Sequence, residues 1–125
     1  MFVNKINYLQ SLAPYPSDIE IGVEFFHNNP KLVEGDEDHV MINTLCDGFF
    51  HTHPIDALPQ FSDLDLDLIL GEDMKFAYLG WGEHLYELKI TPKLHKAYRK
   101  YKNFPSAIYG KQLERLTNKL TIEIF

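Results

Sequence analysis

The segment from Phe49 to Asp65 constrains the fold of this chain most strongly. Phe49-Phe50-His51 predicts a short apolar strand, and Pro54 and Pro59 bracket an irregular loop after it. The loop leads into Phe61-Ser62-Asp63-Leu64-Asp65, where Ser62 suits a helix N-cap and Asp65 lies three residues further on. Residues 64–68 also alternate as in a strand, but acidic residues in a first turn favour the helix. The segment therefore predicts strand, loop and helix in succession.

The rest of the chain repeats this mixture of short strands and helices. Spacings of three and four among the apolar residues from Phe2 to Leu12 predict a first helix, which Pro14 and Pro16 end. Alternation from Ile19 to Phe25 predicts a strand with Glu20, Gly22 and Glu24 on one face. Further strands are predicted at 40–45, 74–79 and 85–90, the last two joined by residues 80–83, with turns at 28–30 and 34–38. Helices are predicted from Pro92 to Tyr101 and again after Pro105, and residues 121–125 suggest a short final strand.

These patterns predict an α/β (α+β) fold with a mixed, mostly antiparallel sheet flanked by helices. A length of 125 residues suits a single domain, residues 1–125, in which 91–125 form a basic, mainly helical extension. Cys46 is the only cysteine, which excludes a multi-Cys zinc site and favours a reducing, cytoplasmic compartment. Residues 1–16 lack the apolar stretch of a signal peptide, and no apolar run is long enough for a bilayer.

Charge is distributed unevenly along the chain. Residues 1–88 carry 16 acidic and 3 basic groups, whereas residues 89–125 carry 9 basic and 2 acidic groups. A basic segment of this kind can bind nucleic acid or another acidic partner, but packing beside the acidic part of its own chain explains the split as well. We favour the second interpretation and do not expect nucleic acid to be a partner.

His51-Thr52-His53 indicates a metal site. Two histidines separated by one residue at a strand end project to the same face about 6.5 Å apart, so both imidazoles can reach one zinc ion. Asp65, in the first turn of the following helix, can supply a third ligand. Two nitrogens and one oxygen would leave a fourth position for water, which is typical of catalytic zinc. Glu20 or Glu24 could then act as general base, and Ser62 could donate a hydrogen bond to an oxyanion.

Together these residues resemble the JAMM (JAB1/MPN/Mov34) metalloprotease domain, with minimal prokaryotic or viral members as the nearest likeness. Its signature is an upstream Glu, then His-[Ser/Thr]-His-Pro, a short loop and Ser-x-x-Asp. His51-Thr52-His53-Pro54 and Ser62-x-x-Asp65 match the two blocks. The loop between them has eight residues where the family usually has seven, and Glu20 precedes Gly22 by two positions rather than three. The resemblance covers roughly residues 1–90.

The resemblance implies a cytidine-deaminase-like JAB/MPN architecture with the metal at the sheet edge, where the third strand meets the second helix. It implies one Zn²⁺ per chain held by His51, His53 and Asp65, Glu20 as general base with Glu24 as the alternative, and Ser62 assisting the oxyanion. The expected activity is hydrolysis of a peptide or isopeptide bond, with a protein or a ubiquitin-like conjugate as substrate. Two other functions stay open, a non-catalytic MPN-like interaction module and metal-dependent hydrolysis of phosphodiesters. The other histidines, His27, His39, His84 and His95, are expected at the surface.

Overall fold

A computed structural model of the chain describes residues 4–35, 42–43, 45–54, 56, 59–102 and 107–124. Helices and short strands alternate along it. The elements in chain order are α1 (Lys5–Ser11), β1 (Ile21–Phe26), β2 (Asn29–Glu34), β3 (Gly48–Thr52), α2 (Asp63–Gly71), β4 (Phe76–Trp81), β5 (His84–Leu88), α3 (Pro92–Lys102), α4 (Ala107–Leu120) and β6 (Thr121–Glu123). The predicted α+β class is confirmed.

All six strands belong to one mixed sheet with the order β2-β1-β3-β4-β5-β6. Only β3 and β4 pair in parallel, and the other four neighbouring pairs are antiparallel. A parallel pair needs a crossover connection, which α2 supplies between β3 and β4. The mixed, mostly antiparallel sheet is therefore confirmed, with its one parallel pair at the centre.

Apolar side chains pack on both faces of the sheet. One cluster joins α1 to the sheet through Leu9, Val23, Phe25 and Phe50. The other joins α2, α3 and α4 to the opposite face, and it includes Phe49, Ile69, Leu79, Leu88, Leu94, Tyr98 and Leu113. Helices thus flank the sheet as predicted, and the basic C-terminal helices contribute buried residues to the same core as β3 and α2.

The predicted turn at 28–30 is misplaced. The chain turns at His27 and Asn28, whose φ angles are 52° and 68°, and β2 already begins at Asn29. Positive φ at both central residues is typical of a two-residue hairpin turn. Pro30 has no N–H to donate, but it can lie within β2 because β2 is an edge strand. An edge strand has a neighbour on one side only, so a residue that donates no hydrogen bond is tolerated there.

The strand predicted at 40–45 is wrong for the residues that can be compared. Ile42 and Asn43 have no regular structure and Leu45 lies in a turn, while Val40, Met41 and Thr44 fall outside the described residues. The turn predicted at 34–38 is wrong at Glu34, which ends β2, and its residues 36–38 fall outside the described residues. Other predicted elements are confirmed with small shifts, including the β4–β5 hairpin, which turns at Gly82-Glu83 with a φ of 60° at Gly82. The predicted break at Pro105 also falls outside the described residues. Among the helices that the structure describes, none has the length and apolar character to cross a bilayer.

Candidate metal centre

Strand β3 carries the two histidines to the centre of the sheet. His51 lies opposite Gly22 of β1 and beside Leu79 of β4, and His53 follows the strand end, where its backbone N–H donates to the Gly80 carbonyl at 3.0 Å. His51 is 3% exposed. The site lies at the C-terminal end of β3, where the third strand meets the second helix as expected, although β3 is an interior strand of the sheet.

The start of α2 brings Asp65 to the same place. Ser62 is the N-cap, and its Oγ accepts a hydrogen bond from the Asp65 N–H at 3.1 Å. In return the Asp65 carboxylate accepts one from the Ser62 N–H at 2.8 Å. This reciprocal capping box satisfies two N–H groups that a helix start leaves unpaired, and it fixes the orientation of the carboxylate. The predicted helix start is confirmed residue for residue.

The three predicted ligands converge. Nε2 of His51 lies 3.1 Å from Nε2 of His53 and 3.3 Å from Oδ2 of Asp65. All three ligand atoms lie within 4.8 Å of one another. Ligand atoms about 2.0–2.1 Å from a tetrahedral zinc lie about 3.3 Å apart. The spacing and the donor set of two nitrogens and one oxygen therefore fit one zinc ion with a fourth position left open.

Asp65 is held ionised. Burial alone would raise the pKa of this carboxyl, but the charge and hydrogen bond of His51, with the bonds to Ser62, lower it to about 2. The location at the positive end of α2 favours the same charged form. A carboxylate that is already deprotonated can bind a cation without releasing a proton.

The second nitrogen of His51 departs from the usual arrangement of a zinc ligand. A ligating histidine usually donates its other ring N–H to a carboxylate, a carbonyl or water. Nδ1 of His51 is buried and has no hydrogen-bond partner among the residues that the structure describes. The ring is instead positioned by packing against Phe49 and Phe61, with ring centroids 5.4 and 5.9 Å away. The orientation of His51 therefore depends on this aromatic packing.

The two candidate bases lie on the face of the sheet that carries His51, but at different levels. Gly22 pairs with His51 and Glu24 pairs with Phe49. Glu20 lies two residues beyond the last pair of this ladder, and the same register continued by two residues would set it level with His53. Glu24 lies toward the opposite end of β1, where its Oε2 accepts a hydrogen bond from the Asn43 N–H at 2.6 Å. Both carboxylates are buried, at 7% and 3% exposure. The register favours Glu20 over Glu24 as the group beside the metal site.

Ser62 is exposed beside the ligands, and its capping role uses Oγ as an acceptor. The Ser62 hydroxyl also forms a side-chain hydrogen bond with the Asp65 carboxylate. Because a carboxylate only accepts, this bond uses the hydroxyl hydrogen, and donation to an oxyanion would require Ser62 to give it up.

Two residues that position the site were missed in the sequence. Thr52, fully buried between the histidines, accepts a hydrogen bond from the Ile21 N–H at 2.9 Å and so ties β1 to β3 next to Glu20. Strand alternation, which turns Thr52 away from the histidine face, was the available signal. Gly80, which anchors His53, gave no local signal because the β3–β4 pairing spans the α2 crossover.

The remaining histidines lie apart from this cluster. His84 pairs with Glu123 at the surface, His95 lies 3.7 Å from Asp73, and His27 occupies an exposed turn. His39 is outside the described residues. No family model, curated protein or solved structure matches this chain.

Proposed function

We propose that this chain is a zinc-dependent metallopeptidase or isopeptidase of the JAMM type, acting in the cytoplasm on a protein or a ubiquitin-like conjugate. The convergence of His51, His53 and Asp65 on one point is the observation that supports it. Structural zinc sites are usually closed by four protein ligands, whereas three ligands with an open position are typical of hydrolytic zinc. The buried free thiol of Cys46 is consistent with a reducing compartment.

The residues around the ligands have distinct roles in this proposal. When bound, zinc would lower the pKa of a water ligand to about 7 and polarise the scissile carbonyl. Glu20 accepts the proton of the attacking water and delivers it to the leaving amine. Ser62 donates a hydrogen bond to the oxyanion of the tetrahedral intermediate. The capping box keeps Asp65 oriented throughout.

Zinc content is the first test. We expect about one zinc per chain in protein purified without added metal, and loss of that zinc in His53→Ala. The matched control is His95→Ala, because His95 is also partly exposed but lies outside the cluster. Loss of zinc in both variants would mean that the loss does not report on the cluster of His51, His53 and Asp65. Absence of zinc from folded wild-type protein would contradict the proposal.

Hydrolysis is the second test. Zinc-loaded protein is incubated with a fluorogenic peptide library and with lysine-linked conjugates of a ubiquitin-like modifier. For any substrate that is cleaved, Glu20→Gln should lower kcat by about 10²–10⁴-fold with zinc retained, because the general base is lost. Glu24→Gln, the same change on the same strand, should leave kcat within a few-fold of wild type.

The alternatives give different results. Equal losses in the two glutamate variants would assign both to the fold rather than to catalysis. Cleavage of bis(p-nitrophenyl) phosphate but of no peptide would select phosphodiester hydrolysis. Full zinc occupancy without any hydrolysis would select the non-catalytic interaction module.

A further inference from the structure

The basic C-terminal helices carry two rows of cations on their solvent-facing sides. In α3 the row is Lys93, Lys96 and Lys100, at spacings of three and four, opposite the buried Leu94 and Tyr98. In α4 the row is spaced by four, opposite the buried Leu113 and Thr117, and consists of Lys111, Arg115 and Lys119. All six side chains are exposed. We call this surface, formed by Lys93, Lys96, Lys100, Lys111, Arg115 and Lys119, the two-row basic face.

The two rows flank one seam. Near the end of α3, the Tyr101 hydroxyl donates to Oε1 of Gln112, near the start of α4, at 3.1 Å. At the other end, the N–H of Lys89, three residues before α3, donates to the carbonyl of Leu120, the last residue of α4, at 2.9 Å. The helices therefore run antiparallel, and the axes of packed helices lie about 8–10 Å apart. On helical spacing, Lys100 lies toward Lys111 at one end of the seam and Lys93 toward Lys119 at the other. Each row is about 10–12 Å long at 1.5 Å per residue.

Within the part of the chain that the structure describes, no ion pair joins these cations to the acidic residues. Among the described residues, the ion pairs of this region involve His95 and Lys89, and none involves a member of the two-row basic face. Glu114 is the only acidic residue between 91 and 120. The helices pack on the same core as β3 and α2, but within the described residues no ion pair neutralises these six charges.

The composition of the face indicates the kind of partner. Protein interfaces are depleted in lysine and enriched in aromatic residues, whereas this face has five lysines and one arginine. The exposed large hydrophobic side chains among the residues whose burial is described are Leu32, Leu45 and Ile122, and none lies on α3 or on residues 111–120 of α4. A membrane-binding helix would need an exposed apolar face, and a single-strand binder would need stacking aromatics. Duplex phosphates need neither of these features, because they are bound by charge alone.

We propose that the two-row basic face binds the phosphate backbone of duplex nucleic acid without sequence preference. Double-stranded DNA carries one charge per about 1.7 Å, so a segment as long as the rows, about 12 Å, offers about seven phosphates to six cations. Because the net charge is −6, this binding needs a surface where the local charge is positive, as it is on the two-row basic face. The proposal reverses the sequence-based expectation about nucleic acid and is independent of the metal site.

The test is fluorescence anisotropy of a labelled 20-base-pair DNA duplex titrated with the full chain between 50 and 200 mM salt, conditions chosen from the general salt dependence of phosphate binding. If each cation neutralises one phosphate, the logarithm of the binding constant falls with the logarithm of salt at a slope of about −5. We expect the triple variant Lys93→Gln, Lys96→Gln, Lys100→Gln to weaken binding at least about ten-fold and to reduce the slope to about −3.

The matched control removes three exposed cations elsewhere, as Lys31→Gln, Lys75→Gln and Lys89→Gln. This control has the same net charge as the triple variant of Lys93, Lys96 and Lys100. If the control still binds DNA while that variant does not, the loss of binding is due to the position of the removed charges and not to the total charge. Circular dichroism checks that both variants fold. The proposal is overturned if wild type does not bind at 50 mM salt, if both triple variants lose affinity equally, or if the slope is unchanged by the row variant. Binding to a 20-residue poly-glutamate peptide but not to the duplex would instead select an acidic protein partner.

Discussion

Gly80 contacts both the metal site, through its carbonyl and the His53 N–H, and the core, beside Phe50 and Tyr15. The substitution Gly80→Ala therefore tests how tightly this part of the core is packed. A Cβ atom at this position would lie 2.8 Å from Cε2 and Cζ of Phe50 and from Cδ2 of Tyr15. Carbon atoms pack best at about 3.5–4.0 Å, so each contact is at least about 0.7 Å too short. Both rings are buried, at 0% and 4% exposure, and neither can rotate into solvent. We therefore expect the unfolding free energy to fall by about 2 kcal/mol, within the range of overpacked cores.

The control is the same substitution at Gly71, the last residue of α2. There a Cβ atom would meet only the Tyr98 hydroxyl, at an ordinary 3.6 Å. Alanine is favoured over glycine in helices by up to about 1 kcal/mol, so Gly71→Ala should be neutral or stabilising. Urea unfolding measures both variants, and an unchanged m-value confirms that the midpoint reports stability.

A double variant tests the cause. Phe50→Leu removes the two ring atoms nearest to the new methyl group, so the double variant Gly80→Ala/Phe50→Leu should be about 1 kcal/mol more stable than the sum of the single effects. Because the Gly80 carbonyl accepts the His53 N–H, zinc affinity should fall in Gly80→Ala and not in Gly71→Ala. A cost below 0.5 kcal/mol for Gly80→Ala, roughly the scale of a surface substitution, would refute the packing argument, and so would simple additivity.

Two further predictions concern the start of α2. In metal-free protein the pKa of Asp65 is about 2 against an ordinary 3.8, so its stabilisation is complete above about pH 4 and is lost as the pH falls through 2. Asp65→Asn should lower the unfolding free energy by about 2 kcal/mol at pH 5 and by little at pH 2. The control Asp73→Asn changes a 91% exposed carboxylate and should alter the unfolding free energy by less than about 0.5 kcal/mol at both pH values. Equal effects of Asp65→Asn at the two pH values would contradict the lowered pKa of Asp65. Ser62→Ala should lower the unfolding free energy by about 1 kcal/mol through loss of the N-cap, and it should weaken zinc binding about 10–100-fold. The control Ser17→Ala, at an exposed bend, should change neither quantity. Urea unfolding and zinc titration measure both variants.

The sequence allowed the ligand cluster to be predicted because its ligands depend on local rules. Strand alternation places His51 and His53 on one face, and the capping pattern places Asp65 in the first helical turn. The loop between His53 and Ser62 then has to bring Asp65 back beside the two histidines. A loop of this length can do so with little loss of chain entropy. The structure accordingly brings all three together as predicted.

What could not be predicted depends on pairing between distant segments. The sequence predicts turns at the two ends of β2, at 28–30 and from Glu34, and no element between them. Asn29 and Pro30 favour turns, and a half-exposed edge strand has no continuous apolar pattern to outweigh them. The level of Glu20 relative to His53 depends on the β1–β3 register, which the sequence does not state. For the same reason the interior position of β3, and the role of Gly80 beside it, became apparent only from the sheet order.

The capping box gives Asp65 two roles in one orientation. Its Oδ2 accepts the Ser62 N–H and also faces Nε2 of His51, so the helix start and the metal site use the same oxygen. A ligand that binds only the folded state stabilises it by mass action, so zinc bound here would strengthen the start of α2 as well as the end of β3. Conversely, fraying of the first turn of α2 would release a ligand. The stability of this helix start and the affinity for zinc should therefore change together in every variant that affects Ser62 or Asp65.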